Sequence, residues 1–411
     1  MKRWTLLLTA ALWSLISHAW AVGDMYDDAT LSAWGERYQR STTRILDEVI
    51  WPKVLDAERR RFGGKPRLLF PRGDPASPLL FYHPVHQPTV VMPLLSLKFL
   101  DDLCTAYAWL QIHGYDVQTV SEYTAILAYS RPPPGGFPPP LKALGVPGDA
   151  LTESEVEELA LGHFVTARTF LLLHEMGHIY FDHAATDLAQ SVRNEEQADS
   201  FAATVMQRTP LPPLGILVFF MADASWSGYG DRARATHPMT GARLIELADH
   251  VDRRSLAGQL RALGALIDDP DIRAGFIASG KAGDLQALGP RRPGQLPHRA
   301  VSAATSTKTG VFNGTYRGVF TQENDRTGGP ILVETQLERQ GDRVTGRYSF
   351  GLGIGSIEGR VAGQHLRFTW TWAGNYGHGA LDATQEGGFT GTWGYREADR
   401  GAGTWVGSPT R

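Results

Sequence analysis

Cysteine is nearly absent. Cys104 is the only one in 411 residues, so no intramolecular disulfide can form and a cysteine-built metal site is excluded. Any metal must be held by His, Asp or Glu. An excess of charge of one sign is lacking too. Lys and Arg number 40 against 43 Asp and Glu, a formal net charge of −3. That balance argues against nucleic acid as a partner, because such proteins carry a basic excess or stripe. Long apolar runs are missing beyond the N-terminus, and none there approaches the ~20 residues that a membrane-spanning helix needs.

The N-terminus reads as a signal peptide over residues 1–21. Lys2 and Arg3 start it, "WTLLLTAALWSLIS" is its apolar core, and Ala19-Trp20-Ala21 is an A-x-A cleavage site before Val22. A short uncleaved membrane anchor is the alternative, against which the shortness of the apolar run speaks. No cysteine follows for a lipid anchor. The expectation is an exported mature protein, periplasmic or secreted, with no stable membrane insertion once the signal is cleaved.

At 42% hydrophobic and 20% charged residues the composition is globular, and the length suits two to four domains. Residues 24–62 carry apolar positions (Leu31, Trp34, Tyr38, Ile45, Val49, Val54) at helical spacing. Short β-like runs, "PRLLFP" and "TVVMP", fall within 66–93, and "TVVMP" is a candidate sheet edge. The helical period returns over 95–113, with Cys104 as a core residue. A Pro/Gly loop, "RPPPGGFPPP", precedes "TESE" at 152–155, which reads as a capping box: Thr152 caps and Glu155 reaches back. A long helix is expected from there to about 184, broken near Gly162, then another over 193–207, stopped by "PLPP". One more follows His237-Pro238. Residues 286–309 read as a linker. From 310 to 411, seven or eight short strands alternate aromatic or branched with polar residues and are punctuated by glycine. This predicts an all-β antiparallel barrel or sandwich, with Trp370, Trp372, Trp393 and Trp405 inside it. The fold class is therefore α+β.

The chemistry concentrates in "HEMGH". His174 and His178, at i and i+4 on a helix, stack on one face and can bind one zinc ion. Glu175 sits beside the metal without facing it, placed to act as general base toward a zinc-activated water. Gly177 permits close backbone approach. A third protein ligand is needed, with the fourth position open. His183 is a poor candidate, since it lies about 140° around the helix from His178. It is expected at the helix end, solvated or against the terminal carbonyls. The better choice is seventeen residues past His178. In "NEEQADSFA" Glu195 and Asp199 share a helix face. Glu195 is the expected third ligand, unless the register shifts it to Glu196. Asp199 would hold the far ring nitrogen of a ligand histidine, and small Ala198 would let the helices approach.

With these residues the sequence resembles the gluzincin metallopeptidases, most closely the family of HtpX-type heat-shock peptidases and CaaX prenyl proteases. "THPMTGAR" is similar to that family's His-Pro-x-x-x-x-Arg element. The resemblance implies that His237 and Arg243 are catalytic, lining the cleft and stabilising the carbonyl oxygen or the oxyanion; Tyr229 is a rival donor. It covers roughly 150–250 and leaves the C-terminal β-region aside.

The reading is a mainly helical zincin-type metallopeptidase domain over 22–285, the linker, and the β-domain over 310–411. The expected function is zinc-dependent hydrolysis of peptide bonds in extracytoplasmic proteins or peptides. Two alternatives stand beside it. One is a chaperone-like binding or assembly factor on a zinc fold, and the other a ligand-binding protein acting through the β-domain, whose partner the sequence does not specify.

Overall fold

The computed structural model describes residues 25–75, 77–184, 187–211, 215–226, 239–251, 254–268, 277–278, 280–290, 311–320, 331–350, 353–372, 375–385 and 387–409. The expected leader over 1–21 and most of the expected linker over 286–309 lie outside them. A helical region is followed by a closed barrel of eight strands, which is the α+β arrangement. Their hydrophobic cores share no residue. Leu288 is buried in the helical core, past the expected boundary at 285.

Asp28–Arg44 (α1) opens the helical region. The Asp27 side chain accepts from the Thr30 amide at 2.7 Å, satisfying a group that the first turn leaves without a partner. The helix runs on through a π turn, Ile45–Ile50, and a 3-10 turn, Trp51–Lys53. Asp56–Phe62 (α2) stops at Gly63, whose φ of 68° is left-handed. Arg67–Leu69 (β1) then pairs in parallel with Thr89–Val91 (β2). Leu94–Ile112 (α3) is buried along most of its length, Cys104 included. Gln118–Tyr129 (α4) and the single turn Pro140–Ala143 (α5) lead to Ser154–Phe181 (α6), which packs on both α3 and Leu188–Gln207 (α7). Ile216–Trp226 (α8), Gly241–Asp249 (α9) and Arg254–Asp268 (α10) follow. No helix among the described residues is long and apolar enough to cross a membrane.

Two local expectations are corrected. The capping box at 152–155 does not form. Thr152 belongs to a 3-10 turn, where its hydroxyl donates to the Asp149 carbonyl at 2.7 Å, and Glu153 takes the cap position without a side-chain bond. Gly162 does not break α6, because packing on both sides outweighs the ~1 kcal/mol that a helical glycine costs. β2 is an edge of the two-stranded sheet, as expected. On its outer side Tyr82 makes one isolated antiparallel bridge to Val91, with main-chain bonds of 2.8 and 3.2 Å.

The barrel is an up-and-down meander: Gly314–Phe320 (β3), Ile331–Gln340 (β4), Arg343–Phe350 (β5), Gly353–Ala362 (β6), His365–Trp372 (β7), Asn375–Ala383 (β8), Phe389–Tyr395 (β9) and Gly403–Pro409 (β10). β10 closes on β3, and every pairing is antiparallel. Eight strands enclose a space that side chains can just fill. Here aromatic rings fill it, with Trp370, Trp393 and Trp405 buried as expected; the Trp372 side chain lies outside the described residues. Large rings face glycines across the register. Tyr348 pairs with Gly355 and Phe368 with Gly379. A Cβ on either glycine would fall 2.2–2.3 Å from the ring it faces. At these positions the missing side chain is the space that a neighbouring ring occupies, which accounts for part of the Gly/aromatic texture of the sequence.

Candidate metal centre

Helix α6 puts His174 and His178 on one face, a turn apart, and α7 sets Glu195 and Asp199 against that face, again a turn apart. The approach depends on two small residues. A Cβ on Gly177 would lie 2.9 Å from Ala198 Cα, so any larger residue there would push α7 away. His174 Nε2 and His178 Nε2 are 3.0 Å apart, and each is 3.3 Å from a Glu195 carboxylate oxygen. All three residues are buried, and together they could hold a metal ion. Ligand atoms on a tetrahedral zinc at ~2.0–2.1 Å lie ~3.3–3.4 Å from one another. The observed triangle is close to one face of that tetrahedron.

Behind the triangle the outer ring nitrogens are engaged. His174 Nδ1 is 2.7 Å from Asp199 Oδ1, as expected for Asp199. Arg243, on α9, donates through Nε to Asp199 Oδ2 at 2.5 Å and through Nη2 to Oδ1 at 3.0 Å. Its Nη1 forms an ion pair with Glu195 Oε2 at 3.0 Å. Arg243 is therefore buried behind the ligands, clamping Glu195 and Asp199 of α7. His237 and Tyr229 lie outside the described residues. Glu196, next to Glu195, is half-buried and lines a surface groove with Phe181, Arg193 and Glu246 instead of joining the triangle.

The charges explain one another. Burial lowers the His174 pKa, but Asp199 and Glu195 outweigh it and carry the imidazole up to about 10. Burial also dominates at His178, which is pushed down to about 4. Burial works against an ionised Asp199, yet Arg243 and His174 prevail and hold its carboxyl below the ordinary range. Arg243 is raised, since Asp199 and Glu195 overcome its desolvation. In the metal-free protein His174 thus carries the proton and His178 does not. Three buried carboxyl groups, Glu175, Glu195 and Asp199, stand against two cations, Arg243 and the protonated His174. A divalent cation would offset that excess of negative charge.

Glu175 is buried beside the triangle and is not part of it. Its Oε2 lies 3.2 Å from His83 Nδ1. The His83 ring stacks on His178, with centroids 5.0 Å apart and planes 10° apart. His83 follows Tyr82, whose bridge to Val91 ties this segment to β2. The same loop is tied to the end of α6 by His86 Nδ1 and Asp182 Oδ1 at 2.8 Å. Sequence reasoning missed His83. The one available signal was a pair of histidines, "YHPVHQP", interrupting a β-like run.

His183 is not solvated, which corrects the expectation for it. Asp182 adopts a left-handed conformation, φ 52°, and turns the chain back at the end of α6. The His183 amide bonds the His178 carbonyl at 3.0 Å and the Asp182 amide the Ile179 carbonyl at 3.2 Å, a Schellman closure. The turn lays the His183 ring against His178, Nδ1 to Nδ1 at 2.9 Å. A straight extrapolation of the helix put that ring on the wrong side.

Residues 128–258 match the family model described as Peptidase U49. The matched span contains α6, α7 and α9, hence His174, Glu175, His178, Glu195, Asp199 and Arg243, and none of the barrel. It supports a peptidase. No curated protein and no solved structure matches the chain.

Proposed function

We propose that this protein is an exported zinc peptidase of the gluzincin type, with His174, His178 and Glu195 as metal ligands and Glu175 as general base. The observation that carries the reading is the buried triangle of two Nε2 atoms and a carboxylate, 3.0–3.3 Å apart, with a further buried glutamate beside it. Bound there, zinc supplies Lewis acidity to a water and to the scissile carbonyl. Glu175 takes a proton from the attacking water and returns it to the leaving amine. His83 Nδ1 donates to Oε2 of Glu175 and orients that carboxylate. Arg243 holds Asp199 and Glu195 in place, so the donor to the developing oxyanion is sought in His237 or Tyr229. The substrate is an extended peptide or an unfolded extracytoplasmic protein, pairing with an edge of the small sheet. A barrel filled by its own rings favours this reading over a ligand carrier.

Zinc content and cleavage of an unfolded protein test it. Wild type is expected to hold stoichiometric zinc and to cut. Glu195→Ala is expected to lose both properties. Zinc-free wild type, or undiminished cleavage by Glu195→Ala, would overturn the proposal.

A further inference from the structure

His174 and His178 present the same nitrogen to the triangle, but what holds them from behind differs. His174 leans on a carboxylate, Asp199. His178 leans on a second imidazole, which leans in turn on an amide: His183 Nδ1 is 2.9 Å from His178 Nδ1, and His183 Nε2 is 2.9 Å from Gln197 Oε1. A neutral imidazole has one nitrogen that donates and one that accepts. An amide oxygen only accepts, so the proton of His183 is on Nε2. Its Nδ1 then offers a lone pair, and His178 must donate to it from Nδ1. That leaves the lone pair of His178 on Nε2, the nitrogen that faces His174 and Glu195.

We propose that His183 and Gln197 form a neutral proton relay that fixes the tautomer of His178 and so makes it competent to bind the metal. The proposal rests on the metal-centre reading above. His183 is a positioning residue, and Gln197 sets its polarity. Were the relay reversed, with a donor in the place of the amide oxygen, the proton would sit on His178 Nε2 and block the ligand position. The geometry serves this purpose in two further ways. The left-handed turn at Asp182 is what brings His183 back onto His178. His183 is buried, so water cannot easily replace the relay, whereas Gln197 is exposed and lies at the floor of the groove lined by Phe181, Arg193 and Glu246. The buried ligand is thus polarised by a side chain at the surface.

Exposure of Gln197 makes it the place to test the relay, because substitution there spares the core. Zinc affinity of the full-length protein is measured by competition with a chelator. Gln197→Glu keeps an acceptor and is expected to bind at least as tightly as wild type. Gln197→Lys offers only donors and is expected to bind about 10–100-fold more weakly, the usual effect of losing a partner of a ligand histidine. His183→Phe keeps a ring without nitrogens and is expected to fall in the same range. Glu196→Gln makes the same change in charge as Gln197→Lys, one position away and outside the relay, and is expected to bind like wild type. Ring 15N shifts of His178 in the zinc-free protein give a second readout: Nε2 unprotonated in wild type and in Gln197→Glu, protonated in Gln197→Lys. If wild type binds zinc and Gln197→Lys and His183→Phe bind equally well, the relay is wrong and the metal centre stands. An equal loss in Glu196→Gln reduces the effect to charge and overturns the relay. Should wild type bind no zinc, both fall.

Discussion

The helical region and the barrel both exclude water from their centres, but one buries charge and the other buries rings. In the helical region Lys98 pairs with Asp102, Arg168 reaches Ser41 at 2.7 Å, and the group of His174, Glu195, Asp199 and Arg243 is at most 3% exposed. Among the described residues of the barrel the one fully enclosed polar side chain is Thr335. There Trp370 meets Trp393 at 5.6 Å and 82°, and Tyr348 meets Trp405 at 4.8 Å and 72°, both edge-to-face. Buried charges are costly unless paired, and a pair broken on one side is worse than none. They concentrate in the region that holds the candidate metal centre, and the ring-packed barrel shows the arrangement that stability alone favours.

Changes that silence one core and leave the other untouched put this contrast to the test. The largest effect is expected from Glu175→Gln, with peptide hydrolysis down by about 10²–10⁴-fold. Neither unfolding transition should move, nor should zinc content. A variant that still cuts at the wild-type rate removes Glu175 from the mechanism. Next comes Arg243→Met, which takes the guanidinium away from the buried carboxylates of Asp199 and Glu195 and leaves His174 to face both. It should cost the helical transition about 3–5 kcal/mol in chemical denaturation and leave the barrel transition in place. Trp405→Ala is the mirror experiment. It opens a cavity among Phe320, Tyr348 and Phe368 and should cost the barrel about 3–5 kcal/mol, with zinc affinity unchanged. A drop in zinc affinity would mean that the two cores are coupled.

The pH response is a subtler contrast. In the zinc-free protein His174, raised to about 10 from 6.5, contributes stability that is complete below pH 6.5 and is lost as pH rises through about 10. His178, lowered to about 4, stays neutral where the unfolded chain takes up a proton, so stability also declines as pH falls from 6.5 toward 4. The contribution of these two groups is greatest near pH 6.5. The helical transition of chelated protein should follow that profile. The barrel buries no His, Asp or Glu among its described residues, and its transition should be flatter across the same range. Smallest is Gly177→Ala. It gains about 1 kcal/mol of helix propensity but drives a methyl into Ala198, so zinc affinity should fall with little change in melting. An unchanged affinity would show that α7 can yield without displacing Glu195.

Much of this was legible in the chain. The helical period placed His174 with His178 and Glu195 with Asp199 because a four-residue step is one turn, a local property. Alternation and glycine spacing announced the strands for the same reason. The failures lie where distant or irregular structure intervenes. His83 reaches Glu175 across 92 residues, and no period links them. His183 was misplaced because one left-handed residue, Asp182, reverses the chain. Thr152 preferred a local turn to capping a helix.

By itself, then, the sequence determined which elements form, which residue types can bind a metal, and which pairs share a face, since backbone periodicity is set over a few residues. Only the tertiary structure decided which faces meet and which partner each ring nitrogen faces. Those depend on the approach of α6 to α7 at Gly177 and Ala198, on the clamp of Arg243, and on an amide at the surface, and all of these are contacts between parts of the chain that no local rule connects.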